Sequence, residues 1–148
     1  MTDFLVDNSV WARLATGDPA ITARLRRIER APADLFVTCP PQVLEFCHSA
    51  GTPTEHARYR EQISLGFPLE RAPDESLVLD IQSALWSSGL VRAAGSVDIL
   101  IAGYAIANGA TVLAADRDFD HLAKVIDLQH EYVAPTAPNA MSETRRLT

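Results

Sequence analysis

Lysine is nearly missing from this 148-residue chain: Lys124 stands alone beside twelve arginines. Arginine is the better fork for phosphate, but genome composition produces the same bias, so the excess selects no partner by itself. Cysteine is as scarce. Cys39 and Cys47 are too few for a disulfide framework, and neither sits in a CxxC pair, which argues against a thiolate metal site. They are expected as small buried hydrophobes. No apolar run approaches the ~18 residues that cross a bilayer. The opening residues, MTDFLVDNS, hold no basic segment followed by an apolar stretch, so no signal peptide is expected and the expected location is the cytoplasm. There is no GxGxxG and no GxxxxGK[ST], so a phosphate loop for nucleotides is unsupported. His48, His56, His121 and His130 form no ligand spacing, and no nucleophile–His pattern stands out. A net charge of −6 speaks at first sight against nucleic acid. Acids gathered in a metal pocket, however, are neutralised by the metal rather than displayed to a partner.

What is present is an alternation of short apolar runs with amphipathic stretches in an ordinary globular composition, 47% apolar and 22% charged. Phe4–Val6 reads as a buried strand, followed by a helix that Asn8 or Ser9 would cap. Asp18-Pro19 opens a helix with Ile21, Leu25 and Ile28 on one face. Leu35–Thr38 is a second strand, and Pro40-Pro41 begins the next helix. Thr52-Pro53-Thr54-Glu55 is a capping box for a helix to about Leu65, and Phe67–Leu69 is a short edge strand. Asp74 caps a helix carrying Leu77, Val78, Ile81, Ala84 and Leu85 on one face, which Gly89 ends. Ser96 starts a nearly all-apolar helix that stops at Gly109. Thr111–Ala115 is a strand, Phe119–Val125 a helix and His130–Val133 a last strand. This predicts one α/β domain over residues 1–133 with a mostly parallel sheet covered on both faces. The 134–148 tail, with two prolines and few large apolar residues, is expected to be flexible.

In open parallel sheets, ligands bind beyond the carboxyl ends of the strands, where strand order reverses. Asp7 directly follows the first strand and Asp116 follows Thr111–Ala115. In a 3-2-1-4-5 order the two would share one crevice; taken singly, each is as well explained as a helix cap. Asp98 is the only charged residue between Ser96 and Gly109, on a helix expected to be buried, where a carboxylate needs a partner or a metal. The helix dipole favours an acid in that first turn as well. Glu45 points away from Val43, Leu44, Phe46 and Cys47, so periodicity alone makes it a solvated residue. Of Asp118 and Asp120, one is expected to cap the following helix and the other to be free as a ligand. Clustered carboxylates suit Mg²⁺ or Mn²⁺, and two such ions assist phosphodiester cleavage most.

Four segments then carry a resemblance: FLVDNSVW (Phe4–Trp11), QVLEFC (Gln42–Cys47), GSVDILIAGYA (Gly95–Ala105) and TVLAADRDFDHLA (Thr111–Ala123). In this order and spacing, from about Phe4 to Val133, the chain resembles the PIN-domain ribonucleases, in particular the VapC-type toxins of toxin–antitoxin pairs. The resemblance implies a three-layer α/β/α fold and endonucleolytic cleavage of RNA, often tRNA or ribosomal RNA, by two-metal hydrolysis with Mg²⁺ or substituting Mn²⁺. It implies that Asp7, Glu45, Asp98 and Asp116 are the catalytic, metal-binding acids, with Asp118 as an additional ligand and Ser9 supporting Asp7. It also implies a homodimer and a VapB-type antitoxin whose C-terminal segment lies along the toxin and can place an Arg or Lys in the site. Asn8 departs from the Thr often found there.

Two other classes compete. A receiver-type phospho-acceptor domain would want paired acids after the first strand and a Lys after the last, whereas Asn8 follows Asp7 and Lys124 falls inside a helix. A catalytically inactive PIN-like interaction module would not be expected to keep all four acids. Arg24, Arg26, Arg27 and Arg30 offer a landing strip for RNA phosphates or, equally, a solvated helix face broken by Glu29; Arg92 and Arg117 lie near the acidic motifs.

Overall fold

A computed structural model describes residues 1–136. Strand β1 (Asp3–Val6) is buried on both faces: Leu5 enters one hydrophobic core while Phe4 and Val6 enter another. Chain order continues with α1 (Asn8–Ala15), α2 (Pro19–Arg30), β2 (Leu35–Thr38), α3 (Pro40–His48), α4 (Pro53–Ile63) and β3 (Phe67–Pro68). It ends with α5 (Glu75–Ser87), α6 (Ser96–Asn108), β4 (Thr111–Ala114), α7 (Asp118–Ala123) and β5 (His130–Tyr132). The strands form one all-parallel sheet in the order β3-β2-β1-β4-β5. This is the expected reversal at β1/β4, and it differs from the 2-1-3-4-5 order of receiver-type domains. Pro68, which cannot donate to a ladder, sits on the edge strand where no donor is needed.

The two-residue period of the strands divides the molecule into layers. Leu5, Val112 and Ala114 pack with Ile81 and Leu85 of α5, Ile101 and Ala105 of α6, and Phe119 and Leu122 of α7. Phe4, Val6, Leu113 and Ala115 face the other way, against Val10 of α1 and Ile21, Leu25 and Ile28 of α2. The result is the three-layer α/β/α arrangement. Cys39 and Cys47 are buried and unpaired, and burial pushes the Cys39 thiol up to about 11, so it stays protonated.

Several local expectations change. Asp7, not Asn8 or Ser9, is the N-cap of α1, because only its carboxylate reaches back to the Ser9 N–H at 3.1 Å. Thr52 accepts from the Glu55 N–H, but the Glu55 carboxylate returns to Gly51 N rather than to Thr52. Neither Asp118 nor Asp120 caps α7: Arg117 holds that position and the Asp118 N–H goes to Asp116 Oδ1 at 3.2 Å. The α6 helix is not buried all round, since Val97 and Leu100 remain 40% and 37% exposed. From the segment expected to be a tail, Thr136 bonds through N and Oγ1 to Asp18, the buried cap of α2. Residues 137–148 lie outside the described residues.

One buried side chain ties α3 to the central strand. Gln42, 2% exposed, donates from Nε2 to Val6 O at 2.6 Å and accepts at Oε1 from Cys39 N at 3.3 Å. Truncation would strand a carbonyl at the strand end from which Asp7 emerges. Gln42→Ala is expected to lower unfolding free energy by about 2–3 kcal/mol, read from urea melts, whereas a loss below about 0.5 kcal/mol would mean water replaces the bond.

Candidate functional site

Three elements converge beyond the carboxyl ends of β1 and β4. Asp7 leaves β1, its N–H donating to Leu113 O at 2.8 Å and its Oδ2 accepting from Ser9 N. The Ser9 hydroxyl in turn accepts from Ala115 N at 2.9 Å, so one residue clasps the ends of both strands. Asp98 lies in the first turn of α6, where Oδ2 accepts from Gly95 N at 3.3 Å. Asp98 thus satisfies the helix terminus and also enters a cluster of acids. Glu45 approaches from α3. Asp7, Glu45 and Asp98 each offer a carboxylate oxygen, and these oxygens all lie within 4.8 Å of one another.

Glu45 corrects the periodicity argument. The helix α3 packs against α1 and α6 as well as α4, so it has no single inner face. Leu44, assigned to the apolar side, is 70% exposed, while Glu45 is half-buried beside the other acids.

Asp116 is outside that closest trio, yet its charge is felt by Asp7, Glu45 and Asp118. Burial is the largest cause raising the Asp7 carboxyl, opposed by bonds from Ser9 and reinforced by Asp116. Burial, then Asp7 and Asp116, raises Glu45. Burial also pushes Asp98 up to about 7, with Asp7, Asp118 and Glu45 adding to it against the Gly95 bond. Asp118, exposed, is raised by desolvation and then by Asp116, with His121 opposing. Asp120 behaves oppositely: its bond from Arg117 lowers it, helped by His130 despite some desolvation. It belongs to a neighbouring ion-pair network rather than to the repulsive cluster. An all-oxygen set of mutually repelling carboxylates fits a hard divalent cation, which would replace the missing counter-charge.

The arginines sort differently from the sequence expectation. Arg24 forks onto Glu131 at 2.6 and 3.0 Å and packs over Phe4, so it is not free for phosphate. Helices α1, α2, α3 and α4 frame a groove of about 800 Å³ lined by Asn8, Trp11, Phe36, Phe46 and Tyr59. At this groove Trp11 Nε1 is buried without a hydrogen-bond partner among the described residues.

The pKa shifts set a pH dependence for metal-free protein. The folded pKa of Asp98, about 7, lies above its ordinary 3.8. Below both values the two states hold the proton alike; as pH rises, the unfolded chain ionises first, so stability falls across that window. Melting temperature in EDTA should therefore drop from pH 4 toward pH 7, and Asp98→Asn should remove part of the drop. A gain of several degrees for this variant at pH 8, with none at pH 4, is the expected result of thermal melts.

Comparison with known proteins gives this geometry its context. Ribonuclease VapC2 of Mycobacterium tuberculosis (strain CDC 1551) is 32% identical over 146 residues, covering 95% of this chain and 100% of that one. Ribonuclease VapC11 of M. tuberculosis (strain H37Rv) is 29% identical over 131 residues, 84% of this chain and 95% of its own. The fold is shared with VapBC2 from Rickettsia felis, solved bound to a promoter DNA fragment, at a TM-score of 0.70 and 14% identity over 88% of this chain and 98% of that one. It is shared too with VapBC-1 from nontypeable Haemophilus influenzae, at 0.69 and 18% identity over the same shares. The PIN domain pattern itself matches residues 4–125, from the first strand to just past α7, and so spans all five acids. With most of the chain matched by that pattern and 32% identity to VapC2 over 95% of its length, the chain belongs to the PIN domain family.

Proposed function

We propose that this protein is a metal-dependent endoribonuclease, the toxin of a toxin–antitoxin pair, with Asp7, Glu45, Asp98 and Asp116 as its catalytic acids. The observation that carries the reading is the convergence of Asp7, Glu45 and Asp98 from three separate elements without a cationic partner among the groups that shift them. The ribonuclease relatives and the VapBC neighbours support it. Asp118, coupled to Asp98 and Asp116, is proposed as a fifth ligand. We assign Mg²⁺ as the ion, with Mn²⁺ as a substitute, and RNA, tRNA or ribosomal RNA, as substrate in the cytoplasm.

A pair of such ions would supply an activated water and stabilise charge on the phosphate and leaving oxygen. The chain's own residues prepare the place for this. Ser9 holds Asp7 at the strand end, and the Gly95 N–H fixes Asp98 Oδ2. In the metal-free state burial and the neighbouring acids favour the protonated form of Asp98, which limits repulsion until a cation is present.

The aromatic groove between α1, α2, α3 and α4 suits an apolar segment of a VapB-type antitoxin. Asn8 and Phe46, which line that groove, directly follow Asp7 and Glu45 in the chain, so a basic side chain on the segment would be drawn toward the acids. Exposed Leu44, Val97 and Leu100, on the mutually contacting α3 and α6, support a homodimer.

Purified protein free of antitoxin is expected to cleave RNA with Mg²⁺ or Mn²⁺ and to stop on addition of EDTA. Asp7→Asn, Asp98→Asn and Asp116→Asn should each reduce cleavage at least about 100-fold with folding intact, Asp118→Asn less. Wild-type activity in Asp98→Asn would reduce that carboxylate to a helix-terminus role.

A peptide of the C-terminal segment of an antitoxin encoded beside this chain should suppress cleavage in the same assay. If the full-length neighbour neither binds nor inhibits, the toxin reading fails while the nuclease reading stands.

A further inference from the structure

A strand of RNA presents a phosphate at every nucleotide, and a pocket of carboxylates repels those that flank the cleaved bond. The positive charge that holds the strand must therefore lie beside the pocket. Arg117 stands in the chain between Asp116 and Asp118, and three contacts immobilise its surroundings. Its Nη1 donates to Asp120 Oδ2 at 2.7 Å, and its guanidinium carbon lies 3.6 Å from the centroid of the Tyr132 ring. Asp120 Oδ1 lies 2.8 Å from His130 Nε2, so β5 braces the anchor from a second side. The Arg117 side chain is nonetheless 63% exposed, and Asp120 is its one acid partner among the described residues. A guanidinium already stacked and pinned loses little further freedom when it meets a phosphate.

Tyr132 also lines a groove of about 650 Å³ between α2 and β5, whose walls carry Arg24, Arg26, Arg27, Arg30 and Glu131. The single acid there is taken up by Arg24 through its two-pronged pair. Glu29, the single acid within α2, lines the aromatic groove instead. Arg27 and Arg30 are exposed and without an acid partner among the described residues. In a chain of net charge −6, this is a local concentration of positive charge joined to the acidic site through Tyr132.

We propose that the groove is an RNA-phosphate track: the strand flanking the cleaved bond passes over Arg117 and across Tyr132 into the arginine groove of α2. This rests on the ribonuclease reading and extends it to how substrate is held. Asp120 and His130 are positioning residues within it, acting through Arg117.

The test uses the full chain carrying Asp98→Asn, free of antitoxin, with a labelled mixed-sequence single-stranded RNA in Mg²⁺ over a range of NaCl. The slope of log affinity against log salt should fall by about 0.7 on adding Arg117→Gln and by up to about twice that on adding Arg27→Gln with Arg30→Gln. Arg58→Gln, on α4, should leave it unchanged, and Arg117→Lys should restore the slope. In the active chain, Arg117→Gln should raise KM about tenfold with kcat within about twofold, as loss of uniform binding does. Slopes equal to the parent's in both glutamine variants would overturn the track alone, and would leave the groove to an acidic protein segment. Failure of the parent to bind RNA while the wild-type chain cleaves it would also overturn the track alone; absence of both binding and Mg²⁺-dependent cleavage would overturn the nuclease reading with it.

Discussion

The Asp7 N–H donates to Leu113 O, a rung that carries the parallel pairing of β1 with β4 to the point where the strands end and diverge. Everything at the site is placed relative to that rung. It brings the residues after two strands, distant in sequence, to one crevice at the reversal of strand order. Ser9 reinforces it by joining the Asp7 turn to Ala115, and Gln42 fastens α3 to Val6 O on the same strand end. The carboxylates are therefore held by backbone and buried side chains, not by one another.

This support is needed because the acids oppose their own arrangement. Asp7, Glu45 and Asp98 are raised by burial and then by mutual charge, so the ionised, metal-free site works against the fold. The two buried cores on either face of the sheet supply the stability that tolerates it. Asp120, only a few residues from Asp116, escapes this repulsion because Arg117 and His130 compensate it. The loop after β4 thus carries two electrostatic regimes side by side: unpaired acids facing the pocket and a compensated network facing β5.

Much of the fold was legible. The strands and most helices announce themselves by period, caps and Pro or Gly boundaries, and the short αβ connections restrict the sheet to few orders. Asp18, Thr52 and Asp74 cap the helices they precede, as their side-chain chemistry requires. The errors lie where local pattern and tertiary packing disagree. Asp7 rather than Asn8 caps α1, since the carboxylate at the end of β1 is the group that reaches the first free N–H. Periodicity makes Glu45 solvated on the premise that α3 packs on one face, whereas α1, α4 and α6 surround it and leave Leu44 outside. The apolar α6 looked fully buried, but only one of its sides meets the sheet.

The sequence by itself determined the alternating elements, the two-faced burial of the central strands and the presence of acids at strand and helix ends, because each follows from residues within a few positions of one another. The four-segment resemblance added the family and named its acids. Only the tertiary structure decided that Asp7, Glu45 and Asp98 come within 4.8 Å, that Arg24 is consumed by Glu131, and that Arg117 lies on Tyr132. Those relations join residues from separate elements, 38 to 107 positions apart for Asp7–Glu45 and Arg24–Glu131. Their distances depend on strand order and helix orientation, which no local periodicity encodes.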